Sequence, residues 1–327
     1  MALDPVPWFI GGGASHGPEV ARMLAYAATS GSEGVISTTD LRVTALPTPG
    51  ASVRVYPGGA AVLNRYSGAP NQTYTVRSPS ATDVAIPATG SGGGATRYVI
   101  LRVDDPQYGG QAPANLANGP YVRYDVVSSI TNLAYPFIAL AKITQPANTA
   151  TITGAMITDL RVVANPREKQ IIIPRPTLAN DAASGMSLTA TGADGEWFPN
   201  AGGVQYIDVP EWASRMQVEA TWISVLLGPE GSSGWGDYWV DFGPTVSSQK
   251  LKYSTHKFRW DMPVGDYSRS NWVLAHDLAV PADLRGVTGV QFVMKARKEG
   301  AAVPKIDHRS GVVLKVRFLE VAELSAS

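Results

Sequence analysis

The sequence predicts a mostly β protein of two domains, preceded by an N-terminal arm and one short helix. Three observations support this prediction. The chain has 327 residues, which fits two domains of roughly 100–200 residues each. It contains 33 Gly and 24 Pro, as expected of many short strands joined by turns. Seven of its eight tryptophans lie after residue 196, so the two halves differ in composition.

An apolar arm opens a distinct segment, residues 1–35. Its large side chains are Trp8, Phe9 and Ile10. Gly11-Gly12-Gly13 follows and predicts a flexible hinge, because glycine adopts backbone conformations that are closed to other residues. An arm of this kind suits docking on another protein, so these three side chains are candidate docking residues.

A helix is expected from about Pro18 to Ser30. Proline suits the first helical turn, and Gly31 suits the C-terminal cap. The spacing i, i+3, i+4, i+7 gives the helix an apolar stripe, formed by Val20, Met23, Leu24 and Ala27. A short helix cannot bury such a stripe alone. We therefore expect it to pack on its own domain or on a neighbouring subunit, with Val20, Met23 and Leu24 as further docking residues.

Residues 36–164 are expected to form a small β-sandwich or barrel. Apolar and polar residues alternate at 53–56 and 99–103, and residues 137–143 are typical of a buried strand. Gly-rich and Pro-Gly turns separate these runs. Residues 39–47 and 158–166 agree at seven of nine positions. We interpret this similarity as two turn-then-strand segments that bracket the domain. The alternative is a pseudo-duplication.

Residues 165–170 are polar and Pro174-Arg175-Pro176 follows soon after, which predicts a semi-rigid linker at residues 165–178. Residues 179–327 are expected to form a Trp-rich sandwich with about eight strands. One predicted strand places Phe292, Met294 and Ala296 on one face, and residues 312–318 repeat the pattern. Such alternation indicates antiparallel sheets with one solvated face. Eight strands in about 145 residues suit a jelly-roll-like β-sandwich.

Composition argues against several kinds of function. Lys plus Arg equals Asp plus Glu at 27 each, so no net charge attracts nucleic acid. No segment approaches the ~20 apolar residues of a membrane helix, and the start lacks the features of a secretory signal. Without cysteine, disulfides and thiolate metal sites are excluded. The four histidines are widely separated, so we expect no metal site, and no cofactor motif occurs.

A catalytic motif is suggested and rejected. Gly13-Ala14-Ser15-His16-Gly17 matches the G-x-S-x-G nucleophile elbow and precedes a helix. A nucleophile elbow lies at the edge of a large α/β sheet, however, and such a sheet needs a series of strand–helix units, which this sequence does not predict. A glycine hinge and helix start explain the motif better, and we expect no catalytic residue and no enzyme activity.

A candidate contact surface lies at residues 234–242. If this segment is a strand, one face points to the core and the other exposes Trp235, Asp237, Trp239 and Asp241. An indole carries ~150–250 Å² of surface, so its exposure without a partner is disfavoured. A loop or subunit covers these indoles, or a ligand does. Sugar rings stack on indoles while carboxylates accept hydrogen bonds from hydroxyls. Trp222, by contrast, alternates with the core positions of its own predicted strand.

Three segments carry a resemblance to a known family. Residues 1–13, followed by the helix that starts at Pro18, resemble the opening of minor tail proteins of phages that infect actinobacteria. Residues 53–62 are similar to the start of β domains in siphophage baseplate proteins, and residues 209–222 to their distal β-sandwich. The resemblance implies a non-enzymatic tail-tip protein, a homotrimer anchored to the tail by its N-terminal segment.

We therefore expect a structural virion protein that is made in the host cytoplasm. Its arm and helix would dock on other tail-tip proteins, and its first β domain would trimerise. Its second domain would serve host attachment or present other adsorption proteins. The alternative is a carbohydrate-binding module that recognises host cell-wall glycan through Trp235 and Trp239. On that alternative, Trp239→Ala would abolish binding without disturbing the fold.

Overall fold

The computed structural model describes residues 12–14, 16–176, 185–200, 203–228, 233–243, 251–252, 256–261 and 265–322. The protein is mostly β and its sheets are antiparallel, as the sequence predicts. The chain divides after Pro166 into two units, of which unit 2 spans Arg167–Glu320. In the described ranges, no helix is long and apolar enough to cross a membrane.

Unit 1 begins with the predicted helix and continues in short strands. Its elements are α1 (Pro18–Ala28), β1 (Gly34–Val35), β2 (Val43–Ala45), β3 (Ser52–Val55), β4 (Gly58–Leu63), β5 (Thr73–Ser78), β6 (Thr82–Ala85), β7 (Ala95–Val103), β8 (Val122–Val127), β9 (Phe137–Gln145) and β10 (Ile157–Asp159), with 3₁₀ turns at Pro106–Tyr108 and Gly154–Met156. They form sheets ordered β1-β4-β5, β2-β3-β6 and β10-β9-β7-β8. The alternation predicted for β3 is confirmed, since Val53 and Val55 are buried between partly exposed residues; in β7, Val99 and Leu101 are buried as predicted, but Ile100 between them is buried as well.

The two echoing segments meet at the ends of unit 1 but do not share a structure. Residues 39–41 form a turn, whereas Thr158 and Asp159 lie in strand β10. Arg161 joins the two segments: it pairs with Asp159 at 2.7 Å and donates hydrogen bonds to the carbonyl oxygens of Thr38 and Asp40 at 3.2 and 2.6 Å. The prediction that both segments consist of a turn and then a strand holds for residues 39–47, where β2 follows the turn, and is wrong for residues 158–166, where β10 comes first.

The described part of unit 2 contains twelve strands, which range in length from two to thirteen residues. They are β11 (Glu168–Arg175), β12 (Met186–Ser187), β13 (Glu196–Trp197), β14 (Val204–Ile207), β15 (Arg215–Leu227), β16 (Ser233–Gly243), β17 (Leu251–Lys252), β18 (His256–Asp261), β19 (Ser268–Ala279), β20 (Val290–Lys298), β21 (Lys305–Ile306) and β22 (Gly311–Leu319), with a 3₁₀ turn at Ala282–Leu284.

Eight of these strands follow the connectivity of a jelly roll. One sheet has the order β11-β22-β15-β19 and the other has β14-β20-β16-β18. With the eight strands numbered along the chain, these orders are 1-8-3-6 and 2-7-4-5, so the first strand pairs with the last. This is the winding of two Greek keys in a double-sheet jelly roll. The predicted jelly-roll-like sandwich is confirmed.

Strand β11 corrects the predicted linker. Residues 168–175 pair with β22 without interruption, from Glu168 opposite Leu319 to Arg175 opposite Val312. Strand β11 is an edge strand: Ile171 and Ile173 pack against the core, whereas residues 168–170 are exposed. Pro174 is tolerated in it, since an edge strand has a side on which no ladder hydrogen bond is needed.

The core of unit 2 lies between the two sheets and is rich in aromatic rings. Trp222 is fully buried, as predicted, and its indole Nε1 donates a hydrogen bond to the Phe198 carbonyl oxygen at 2.5 Å. The ring of Trp272 stacks on that of Phe258 with centroids 4.3 Å apart. Aromatic pairs of this kind stabilise a core beyond their buried area.

Candidate functional site

Strand β16 is the central element of the candidate site. It pairs with β18 on one side and with β20 on the other. Its predicted core face is confirmed, because Tyr238, Val240 and Phe242 are all buried in the core between the sheets. The outer face carries the four candidate contact residues, and it differs from the prediction.

The predicted exposure is wrong for three of the four residues. Asp237, Trp239 and Asp241 are 2%, 1% and 0% exposed, and of the four only Trp235, at 44%, retains a large exposed surface. The Trp239 indole is covered by the loop before β13, since a Cβ at Gly195 would overlap the ring. Cover by a loop was one of the alternatives for these indoles, and for Trp239 it is the observed one.

Both carboxylates bind partners within the chain. Asp237 lies between β18 and β20 and accepts hydrogen bonds from Lys257 Nζ at 2.9 Å and Arg297 Nε at 2.7 Å. Burial raises the pKa of Asp237, but these two bonds outweigh burial and hold the pKa below its usual value. Asp237 therefore stays ionised in the folded protein and serves to join three strands.

The second carboxylate is equally enclosed. Asp241 accepts a hydrogen bond from Trp239 Nε1 at 3.0 Å and pairs with Lys295 Nζ at 3.1 Å. Lys295 also donates to the carbonyl oxygen of Asp194, in the loop that covers Trp239. A buried charge needs such partners, because desolvation without them is costly. Asp241 and Trp239 thus form a structural pair, and neither faces solvent where a ligand could reach it.

Trp235 lines a surface cleft of about 440 Å³, the Trp235 cleft. Its lining residues are Trp235, Gly236, Lys257, Phe258, Arg259 and Glu299. Arg259 lies directly opposite Trp235 in the β16–β18 register, so the two side chains share one face of the sheet. Glu299 follows β20 and pairs with Arg297 at 2.7 Å. The cleft therefore combines an exposed indole with two cationic side chains and one carboxylate.

The indole of Trp235 is held in place by the turn after β20. The Trp235 carbonyl oxygen accepts hydrogen bonds from the backbone N–H groups of Glu299 at 2.8 Å and Gly300 at 3.2 Å. A Cβ at Gly300 would lie 3.0 Å from Trp235 Cε3, so the turn packs closely against one edge of the ring. One edge is therefore fixed while the remaining surface faces the cleft.

The sequence did not reveal the residues that surround Trp235. Lys257 and Arg259 belong to β18, and Glu299 follows β20. Alternation at residues 256–261 could have placed the two cations on one outer face. The register between strands that are distant in sequence decides which outer residues meet, and local pattern does not supply it.

The docking residues divide into two groups. Trp8, Phe9 and Ile10, like Ser15 of the rejected elbow, lie outside the described residues. Helix α1 has no buried residue; Val20 is partly covered, while Met23 and Leu24 are 49% and 53% exposed. Met23 and Leu24 are therefore not buried within unit 1.

A polar clamp holds α1 instead. Arg22, whose side chain is 11% exposed, donates hydrogen bonds to side chains around β5 and the first 3₁₀ turn. Its partners are Gln72 (2.6 Å), Asp105 (3.2 Å), Gln107 (2.8 Å) and Tyr108 (3.2 Å). The guanidinium also lies over the rings of Tyr74 and Tyr108. This Arg22 clamp fixes the helix with its apolar stripe turned outward.

Comparisons with known proteins do not identify the chain. No protein-family model and no curated protein sequence matches it. Among solved structures it is similar to infectious bursal disease virus, Gx strain, at 10% identity and a TM-score of 0.27, over 90% of this chain and 76% of that one. T=1 particles derived from that virus give 12% identity and a TM-score of 0.25, over 89% and 70%.

A tandem CBM22 domain from Paenibacillus barcinonensis Xyn10C matches at 8% identity and a TM-score of 0.19, over 84% of this chain and 87% of that one. TM-scores this low do not establish a shared fold and have no bearing on function. The jelly-roll connectivity of unit 2 is evident from its own strand order.

Proposed function

We propose that the protein is a non-enzymatic structural component of a virion, at the tail tip of a phage, that docks on other tail proteins through its N-terminal segment. The observation that carries this proposal is the exposed apolar stripe on α1, where Met23 and Leu24 are about half exposed. The resemblance of residues 1–13 and of the following helix to minor tail proteins supports the same role.

The Arg22 clamp makes the stripe suitable for docking. An isolated helix of eleven residues is marginal in water, so it needs contacts outside itself to persist. Here the clamp supplies them on one side of α1 and leaves the stripe on the other. A partner then meets a helix that is already ordered, which lowers the entropic cost of association. We propose that the apolar stripe of α1 binds in an apolar groove on the tail hub.

The fold of unit 2 is compatible with this role. Double-sheet jelly rolls occur in viral capsid proteins and in lectins. Fold-level analogy does not by itself decide function. The family that the opening resembles assembles as homotrimers, and we include a trimer formed by the first β unit in the proposal. The second β unit would serve host attachment or present other adsorption proteins.

The proposal is tested by placing a charge on the stripe. Leu24→Glu should reduce incorporation of the protein into virions by at least about tenfold, because docking would bury a carboxylate in an apolar groove. Leu116→Glu is the matched control, since Leu116 is 66% exposed in the same unit but lies far from α1 in sequence and outside its clamp. Mass spectrometry of purified particles measures incorporation, and light scattering measures the mass of the free protein.

Two results would overturn the proposal. One is absence of the wild-type protein from purified particles, combined with a monomeric mass at micromolar concentration. The other is equal incorporation of the Leu24→Glu and Leu116→Glu variants, which would remove the stripe from the docking surface. Thermal unfolding of both variants, with midpoints close to wild type, confirms that the fold is retained.

A further inference from the structure

We propose that the Trp235 cleft is a saccharide-binding site, in which the exposed indole stacks on a pyranose ring of a polysaccharide and the rim side chains bind its hydroxyls. The inference goes beyond the proposed function and does not depend on it. It replaces the two-tryptophan surface expected from the sequence with one tryptophan and a rim formed by β18 and the turn after β20.

The exposure of Trp235 is the first step. On the outer face of β16, a loop or ion-pair partners cover three of the four candidate residues. Trp235, in contrast, remains 44% exposed. Trp222 and Trp272, on neighbouring strands of the same unit, are almost completely buried. Exposing an indole is unfavourable in water. A ligand that covers it recovers this free energy.

Rigidity is the second step. Two backbone hydrogen bonds to the Trp235 carbonyl and the close packing of Gly300 against the ring edge fix one side of the residue. A ring held in this way loses little conformational entropy when a ligand stacks on it. The cleft has a volume of about 440 Å³, within the ~300–1,000 Å³ of typical small-ligand sites, so it has room for one or two sugar rings.

The chemistry of the rim favours a hydroxylated ligand. Lys257 and Arg259 donate hydrogen bonds, and Glu299 accepts them. Lys257 pairs with Asp237 and Glu299 pairs with Arg297, so these two charges are balanced within the chain. The local field is therefore weaker than that of an anion-binding patch. Sugar hydroxyls both donate and accept, and a pyranose with equatorial substituents has a flat C–H face that suits an indole.

The experiment uses the purified full chain with cellohexaose, chitohexaose and xylohexaose as probes. Isothermal titration calorimetry measures affinity, and quenching of tryptophan fluorescence reports stacking. At least one probe should bind, and Trp235→Ala should weaken it by about tenfold or more, as is typical when an aromatic anchor is removed. Trp197→Ala is the matched control, because Trp197 is 40% exposed in the same sheet but does not line the cleft. It should change the affinity less than about twofold.

A second measurement needs no variant. N-bromosuccinimide oxidises exposed indoles, and peptide mass spectrometry locates the product. A bound probe should slow oxidation of Trp235 severalfold and leave the rate at Trp197 unchanged. The result then stands even if Trp235→Ala is poorly folded.

Three outcomes would overturn the site. Failure of all three probes to bind at millimolar concentration is the first. Equal loss of affinity in Trp235→Ala and Trp197→Ala is the second. The third is a change in the mass of the free protein on Trp235→Ala, which would show that a second copy of the chain covers the indole. None of these outcomes concerns incorporation into virions, so the site and the proposed function fail independently.

Discussion

Trp239→Ala and Trp235→Ala are expected to differ strongly in their effect on stability, although the two residues lie on the same face of one strand. Truncating a buried tryptophan typically costs about 3–5 kcal/mol. Trp239 is 1% exposed, so this full range applies to it. The variant also removes the hydrogen bond from Nε1 to the Asp241 carboxyl group, which forms a salt bridge with Lys295, and a bond to a charged group contributes about 1.5–3 kcal/mol. The two terms are not independent, and we expect a total loss of about 5 kcal/mol.

Trp235 is 44% exposed, so only about half of its surface leaves water on folding. At ~25 cal/mol per Å², and with the alanine methyl retained, Trp235→Ala should cost about 2 kcal/mol. Its site opens to solvent, so water fills the space and no closed cavity adds to this cost. The expected difference between the two variants is therefore about 3 kcal/mol.

Thermal unfolding followed by circular dichroism measures this difference. A unit of about 150 residues changes its midpoint by ~2–4 °C for each kcal/mol. Trp239→Ala should lower the midpoint of unit 2 by about 10–20 °C, and Trp235→Ala by about 4–8 °C. Equal midpoints for the two variants would refute the reasoning, because they would show that the loop carrying Gly195 does not cover Trp239. The expectation that Trp239 contacts a ligand would then return.

Two further predictions concern the polar contacts. Arg22→Ala should loosen α1, since it removes the hydrogen bonds of the clamp to Gln72, Asp105 and Tyr108. Hydrogen exchange at residues 21–28 should speed up at least about tenfold while strand β7 keeps its protection. Equal protection of α1 in the variant and the wild type would contradict the clamp. The folded-state pKa of Asp237 is lowered, so its ionisation stabilises unit 2 above the unfolded-state pKa of about 4, and this contribution is lost as the pH falls through the folded-state value. Asp237→Asn should therefore be less stable than wild type at pH 7 and lose less stability between pH 4 and pH 2. Urea unfolding measures the free energy of unfolding at each pH. An equal loss of this free energy in the two proteins between pH 4 and pH 2 would contradict the role of ionised Asp237.

Local pattern predicts the class of fold and several strands, among them β3, β16, β20 and β22. Phe292, Met294 and Ala296 lie in the core as the pattern predicts, although Val293 and Lys295 on the opposite face of β20 are buried as well. The residues of β22 alternate between buried and partly exposed positions, because this strand buries one face between the two sheets. The number of such runs led to the jelly roll. Strand β11 was missed because an edge strand exposes polar residues and tolerates Pro174, which also describes a linker.

The period of a helix shows which residues share a face, but it does not show which face is covered. The period predicts that Met23 and Leu24 share a face, and the structure leaves that face about half exposed at both residues. Arg22, which reads as a surface residue in the sequence, makes the long-range contacts instead. Those contacts come from residues 50 to 86 positions further along the chain, so no local pattern predicts them.

The same limit explains the different environments of Trp235 and Trp239. Both occupy the outer alternation set of β16, so their local patterns are identical. Their difference arises from what crosses the face: the Gly195 loop lies over the Trp239 ring, whereas the Gly300 turn touches only one edge of Trp235. In each case glycine permits the approach, because a Cβ would meet the indole. Exposure on this strand is therefore decided by where each loop crosses the face, and the surface left open at Trp235 is where a ligand can bind.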